Sequence, residues 1–302
     1  MVTPPAEPVS AEPVSAEPVS AEPRWYQELA DLLAFASRRL TGDYAVDEFG
    51  FDPDLADHVL LPLLRPLYRS WFRFEVTGID HLPATGGALV VANHSGTLPL
   101  DTLMTTMAVH EEHPAGRHLG MLAGDLLFRI PVLGSLCRKS GQTLACVPDA
   151  ERLLSSGELV GTWPEGYEGL GKRYRDRYKL QRFGRGCFVA AALRTQMMII
   201  PCAIVGAEEI YPMIADLKPL ARLLGIPYFP VTPLFPLLGP LGMVPLPSKW
   251  YIEFGEPVRT DAYEPGCAED PMLVFDLTDQ IRETIQQTLH RLLLQRHNPF
   301  LG

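Results

Sequence analysis

The chain has 302 residues, 47% apolar or aromatic and 21% charged. At roughly 150 residues per domain this is one large domain or two small ones. With 36 acidic against 26 basic residues the net charge is −10, which excludes a general nucleic-acid binder. Five cysteines without CxxC spacing give neither a disulfide scaffold nor a zinc ribbon, so a reduced, cytosolic setting is expected.

Residues 6–23 repeat Ala-Glu-Pro-Val-Ser three times and break off at Ala21-Glu22-Pro23. Such a segment has too little apolar area to offset its ordering entropy, so 1–23 reads as a disordered tail, and its Pro/Glu composition is not that of a signal peptide. Trp25, Leu29, Leu32, Leu33, Ala36 and Leu40 then recur at helical spacing, and Gly42 is a natural stop. A second helical stretch over 53–74 carries Pro62 and Pro66, many large apolar side chains, and Arg65, Arg69 and Arg73 four apart. It reads either as a buried helix with a solvated arginine face or as an interfacial helix whose arginines meet lipid phosphates. Residues 24–73 are therefore expected to form an N-terminal helical, membrane-associating segment, ahead of a catalytic domain over 74–260.

From Phe74 strands and helices alternate. Residues 88–92, 159–163, 199–205 and 250–254 are short apolar runs suited to strands, and 100–109 and 186–194 read as helices. In the C-terminal segment 261–302, Asp270-Pro271 caps a last amphipathic helix whose Leu277, Ile281, Ile285, Leu289 and Leu292 form one apolar stripe. This is an α/β chain with a mostly parallel sheet flanked by helices, in which ligands bind beyond the carboxyl ends of strands.

After the first of those strands comes Asn93-His94-Ser95-Gly96-Thr97, with Asp101 at a helix start. That places a His where an Asp can fix its tautomer and leave the other nitrogen free to take a proton, although a polar turn capping a helix has the same composition. The second ends in Trp163-Pro164-Glu165-Gly166, followed by Lys172, Arg173, Arg175, Arg177, Lys179, Arg182 and Arg185 against the single acid Asp176. A basic cluster in an acidic chain points to a phosphate-bearing ligand rather than a solvated loop. His110-Glu111-Glu112-His113 with His118 lacks HExxH spacing, so no metal site is expected. Gly166, Gly171 and Lys172 match part of a P-loop, but Arg173 occupies the Ser/Thr position. The uncharged run 223–248 is long enough to span a bilayer but holds seven prolines, which a transmembrane helix cannot absorb.

In this order the pieces resemble the phospholipid/glycerol acyltransferase family, typified by lysophosphatidic acid acyltransferases. Asn93-His94 with Asp101 stands for the family's first block, Trp163-Pro164-Glu165-Gly166 for its third, and Ile199-Ile200-Pro201 for its fourth. Phe74-Glu75-Val76-Thr77-Gly78 and Phe254-Gly255-Glu256-Pro257 extend the likeness over about 70–260. There are departures. Asp101 lies seven residues after His94 instead of the usual five, and the second block, about 141–147, has no Arg. Tyr167-Glu168 stands where Thr-Arg or Ser-Arg is common in the family.

The resemblance implies direct acyl transfer from acyl-CoA or acyl carrier protein to a glycerolipid or lysophospholipid hydroxyl, with no cofactor and no acyl-enzyme. His94 is then the general base and Asp101 its partner. Asn93, Ser95, Gly96, Trp163, Pro164, Glu165, Gly166, Lys172, Arg173, Arg182 and Arg185 are expected at the substrate site. Membrane lipids are the expected partners, and peripheral attachment to the cytoplasmic membrane face the expected location. An ester or thioester hydrolase, or a lipid-binding protein of the same fold without turnover, are the competing readings.

Overall fold

The computed structural model describes residues 24–296 and 298–300, so the repeat tail of 1–23 lies outside the described residues. The chain divides into two compact units after Asp43, whereas the sequence placed boundaries at 73 and 260. The first unit contains the helix Arg24–Thr41, on which Leu32, Leu33 and Leu40 are exposed.

The second unit is built on a seven-stranded sheet. Its strands are β1 (Glu75–Thr77), β2 (Ala88–Ala92), β3 (Leu119–Ala123), β4 (Gln142–Leu144), β5 (Leu159–Thr162), β6 (Ile199–Val205) and β9 (Tyr251–Phe254), while β7 (Ala215–Asp216) and β8 (Pro230–Val231) pair apart. The order β1-β9-β6-β2-β5-β3-β4 has five parallel strands from β6 to β4, because β6, β2, β5, β3 and β4 pair parallel in turn. β9 runs antiparallel to β6, and β1, paired parallel to β9 at the edge, shares that reversed direction. β2 and β6 are buried at every residue, as continuous apolar runs in a covered parallel sheet require.

One face of the sheet packs the helix Leu100–Glu112 and the helical run 53–71; the other packs the helices Val147–Ser155, Cys187–Thr195 and Pro271–Gln295. The run 53–71 absorbs Pro62 and Pro66 by widening into π-type turns at Ala56–Leu60 and Leu67–Trp71. It buries Leu61, Tyr68 and Phe72 in the core and leaves Leu63 and Trp71 exposed. Arg65 and Arg69 are not an open arginine face, since both bond the Glu111 carboxylate of the neighbouring helix. Arg73 donates to the Phe300 carbonyl at 2.9 Å. On the last helix Asp270 caps the Met272 and Leu273 amides, and Leu277, Ile281, Ile285, Leu289 and Leu292 are all buried, as the stripe predicts.

Candidate active site

The site lies where β2, β5 and β6 end side by side. Asn93, fully buried, donates from Nδ2 to the Ile204 carbonyl (3.0 Å) and accepts the Ile204 amide at Oδ1 (2.8 Å). It ties the end of β2 to β6 and is committed inside the fold, not turned to a ligand. His94 is the next residue. Its Nδ1 is 2.7 Å from Asp101 Oδ2, and its side chain has no other partner among the described residues. A carboxylate on Nδ1 fixes the proton there and leaves Nε2 as the acceptor. Asp101 is fully buried; Oδ2 also accepts the Ser95 amide (2.9 Å), and Oδ1 accepts the Thr102 amide (2.9 Å).

The long turn between them closes through positive φ at Gly96 (98°) and Thr97 (65°). A Cβ on Gly96 would stand 2.9 Å from the Ala207 carbonyl, so only glycine fits. Threonine is a rare occupant of positive φ, a strain of about 1–3 kcal/mol that neighbouring contacts must hold. Here Thr97 Oγ1 donates to the Tyr211 carbonyl, and the Tyr228 hydroxyl donates to the Thr97 carbonyl. Two tyrosines outside the sequence blocks thus brace the turn that sets the His–Asp pair.

Glu165 is buried behind His94 and is a bridge, not a ligand. Its Oε1 accepts the His94 amide (2.8 Å), its Oε2 accepts the Gln181 amide (2.6 Å), and Lys172 Nζ lies 3.2 Å from Oε2. Gly166 opens the short helix Gly166–Leu170, in which Gly169 packs on His94; a Cβ there would stand 2.8 Å from the His94 carbonyl. Pro164 is half-buried at the same turn. The buried Ser95 Oγ and Trp163 Nε1 have no hydrogen-bond partner among the described residues.

The basic cluster separates by environment. Lys172 is buried between Glu165 and Glu208 (3.0 Å), so it is held by carboxylates and not offered to phosphate. Burial depresses its ammonium, but the two carboxylates outweigh that and raise it above the usual lysine value. Arg175 and Lys179 face Asp176, and the Arg177 guanidinium lies over the Tyr174 ring. Arg173, Arg182 and Arg185 are exposed and form no ion pair among the described residues. Arg182 is chain neighbour to Gln181, whose amide is fixed on Glu165.

Sequence reasoning missed the pair of acids just beyond β6. Gly206 (φ 114°) turns the chain into Glu208 and Glu209, both buried. Burial pushes the Glu208 carboxyl up to about 7 against the pull of Lys172. Glu209 bonds Arg296 (2.9 Å) and the Tyr178 hydroxyl, which in turn accepts the Gly206 amide (3.0 Å). The signal in the sequence was two consecutive carboxylates directly after a strand end. An apolar cavity of about 650 Å³ also lies between the run 53–64, the helix Leu100–Glu112 and β3/β4, lined by Phe51, Leu60, Leu61, Leu64, Leu103 and Leu119 among others. His94 is not among its lining residues, but the helix Leu100–Glu112, which carries Asp101 in its first turn, presents Leu103 and Thr106 to it.

An Acyltransferase family model matches residues 73–205. An uncharacterized protein of Mycobacterium leprae (strain TN) is 62% identical over 276 residues, 91% of this chain and 75% of its own length. The Bos taurus protein named DGAT1/2-independent enzyme synthesizing storage lipids is 23% identical over 73% of this chain and 60% of its own length. The crystal structure of the 1-acyl-sn-glycerophosphate (LPA) acyltransferase PlsC from Thermotoga maritima superposes with a TM-score of 0.51 at 17% identity, covering 91% of this chain and 100% of that one. That likeness is one of fold.

Proposed function

The chain belongs to the phospholipid/glycerol acyltransferase family, and we propose that it moves a fatty acyl group from acyl-CoA or acyl carrier protein to a hydroxyl of a glycerolipid or lysophospholipid. The observation that carries this reading is the 2.7 Å His94–Asp101 contact at the carboxyl end of β2. His94 Nε2 removes the acceptor hydroxyl proton as the oxygen attacks the thioester carbonyl; the C–S bond breaks and the proton passes to the leaving thiolate. Asp101 holds the tautomer and stabilises the imidazolium. Ser95 Oγ and Trp163 Nε1 are the unpartnered donors we assign to substrate oxygens, and the apolar cavity has the size for an acyl chain. A panel of lysophosphatidate, other lysophospholipids, monoacylglycerol and diacylglycerol, each with acyl-CoA or acyl carrier protein, tests it by mass spectrometry of the lipid product. Acylated product from at least one acceptor supports the reading, and none from any contradicts it.

Arg173, Arg182 and Arg185 are the cations we assign to a phosphate of donor or acceptor. Arg173→Glu with Arg182→Glu should raise the apparent KM for one substrate several-fold and leave kcat nearly unchanged. The wild-type KM should rise with salt, as exposed charges are screened within about 10 Å at 0.1 M. Steady-state kinetics across a salt series checks both.

No helix among the described residues is long and apolar enough to cross a membrane. We propose peripheral attachment on the cytoplasmic side. Two apolar stretches that are far apart in sequence adjoin, since Trp71 Nε1 donates to the Pro245 carbonyl (2.9 Å). Leu63 on the first stretch and Leu237, Leu241, Met243 and Val244 on the second are exposed, and we assign these side chains to shallow insertion. The full-length protein should float with anionic vesicles, and Leu237→Asp with Leu241→Asp should leave most of it unbound.

A further inference from the structure

Asp57, His110 and His118 come from three separate elements: the π-type turn Ala56–Leu60, the helix Leu100–Glu112, and the residue before β3. Each contributes one ligand-type atom, and the three atoms lie within 4.8 Å of one another. The Asp57 Oδ1 to His118 Nε2 separation is 3.3 Å, which matches the edge of a tetrahedron with metal–ligand bonds of about 2.0–2.1 Å. The His110 and His118 rings lie nearly parallel, with centroids 5.1 Å apart. Both Asp57 Oδ1 and His110 Nδ1 are shielded from solvent; His110 Nδ1 has no hydrogen-bond partner among the described residues, and Asp57 Oδ1 faces only His118 Nε2. The Asp57 side chain is 39% exposed and that of His118 26%, which leaves an entry path and a position for a water ligand.

We propose that Asp57, His110 and His118 form a binding site for a divalent first-row transition ion, Zn(II) being the best match to a two-imidazole, one-carboxylate set. The ion joins the helical run 53–71 to the helix Leu100–Glu112 and β3. These are walls of the apolar cavity, which His118 itself lines. The site is a clamp on that cavity, about two and a half helical turns from Asp101, and does not take part in acyl transfer.

The test uses full-length protein dialysed against Zn(II) or Mg(II), with bound metal counted by mass spectrometry and stability followed by thermal melts. One Zn(II) per chain should be retained, no Mg(II), and at about a hundred times Kd the midpoint should rise by several degrees. His110→Ala with His118→Ala should lose the retained Zn(II) and the midpoint rise. Asp57→Asn, a milder change, should weaken retention at least ten-fold, and melts without metal confirm that each variant folds. Zn(II) retention equal to that of the Mg(II) control overturns the proposal. So does retention undiminished in the double variant, which would place the ion on cysteines or other histidines.

Discussion

His94→Ala should lower acyl transfer by about 10²–10⁴-fold with the fold intact, because the variant loses the group we assign as general base. The side chain forms one hydrogen bond among the described residues, to Asp101, and its backbone amide bond to Glu165 survives the substitution. Circular dichroism and the thermal midpoint should therefore match wild type, and turnover near the wild-type rate would remove His94 from the mechanism. Asp101→Asn has a different signature. Asp101 Oδ1 accepts the Thr102 amide, so an Asn that keeps its oxygen on Thr102 turns its nitrogen toward His94 and favours the wrong tautomer. Its rate should fall strongly, and a wild-type rate would mean the His–Asp contact has no bearing on turnover.

Lys172→Met should be the most damaging substitution for stability outside the apolar core. It leaves Glu165 and Glu208 facing each other, buried and without a cation. Removing one partner of such a buried network costs about 3–5 kcal/mol. Because Glu165 also carries the His94 amide, activity should fall with stability. The pH dependence has a definite sign. Glu208 is already raised to about 7 by burial in the wild type, and loss of Lys172 raises it further. Between the usual carboxylate value and that raised one, the folded variant holds a proton that the unfolded chain does not. Its stability should therefore improve as pH falls from about 8 to about 5.5, so the deficit against wild type narrows in acid. Thermal melts at the two pH values check this, and a deficit independent of pH would contradict the burial argument.

Much of the fold was legible because its strands are continuous apolar runs and its last helix a regular stripe. β3 and β4 were not, since Leu119–Ala123 contains a glycine and Gln142–Leu144 is only three residues long. The His–Asp pair could be named from block order, but the seven-residue spacing left its contact open. Positive φ at Gly96 and Thr97 closes that turn, and no periodicity encodes it. The run 172–185 reads as uniform charge, yet burial singles out Lys172 and local acids or aromatics occupy three others. What separates them is Glu208, supplied from the end of β6. Two members of the Asp57–His110–His118 cluster stood out in the sequence and were set aside for want of HExxH spacing; the third, Asp57, reaches them only through packing of the run 53–71.

The central claim is that His94 and Asp101 drive direct transfer of an acyl group to a lipid hydroxyl. The most direct measurement is thiol release from acyl-CoA, or from acyl carrier protein, with and without an acceptor lipid, in the wild type and in His94→Ala. Release that requires acceptor, matches acylated product one for one, and vanishes in the variant is the predicted result. Release by the wild type without acceptor, equal to that with it, would make the protein a hydrolase and contradict the account.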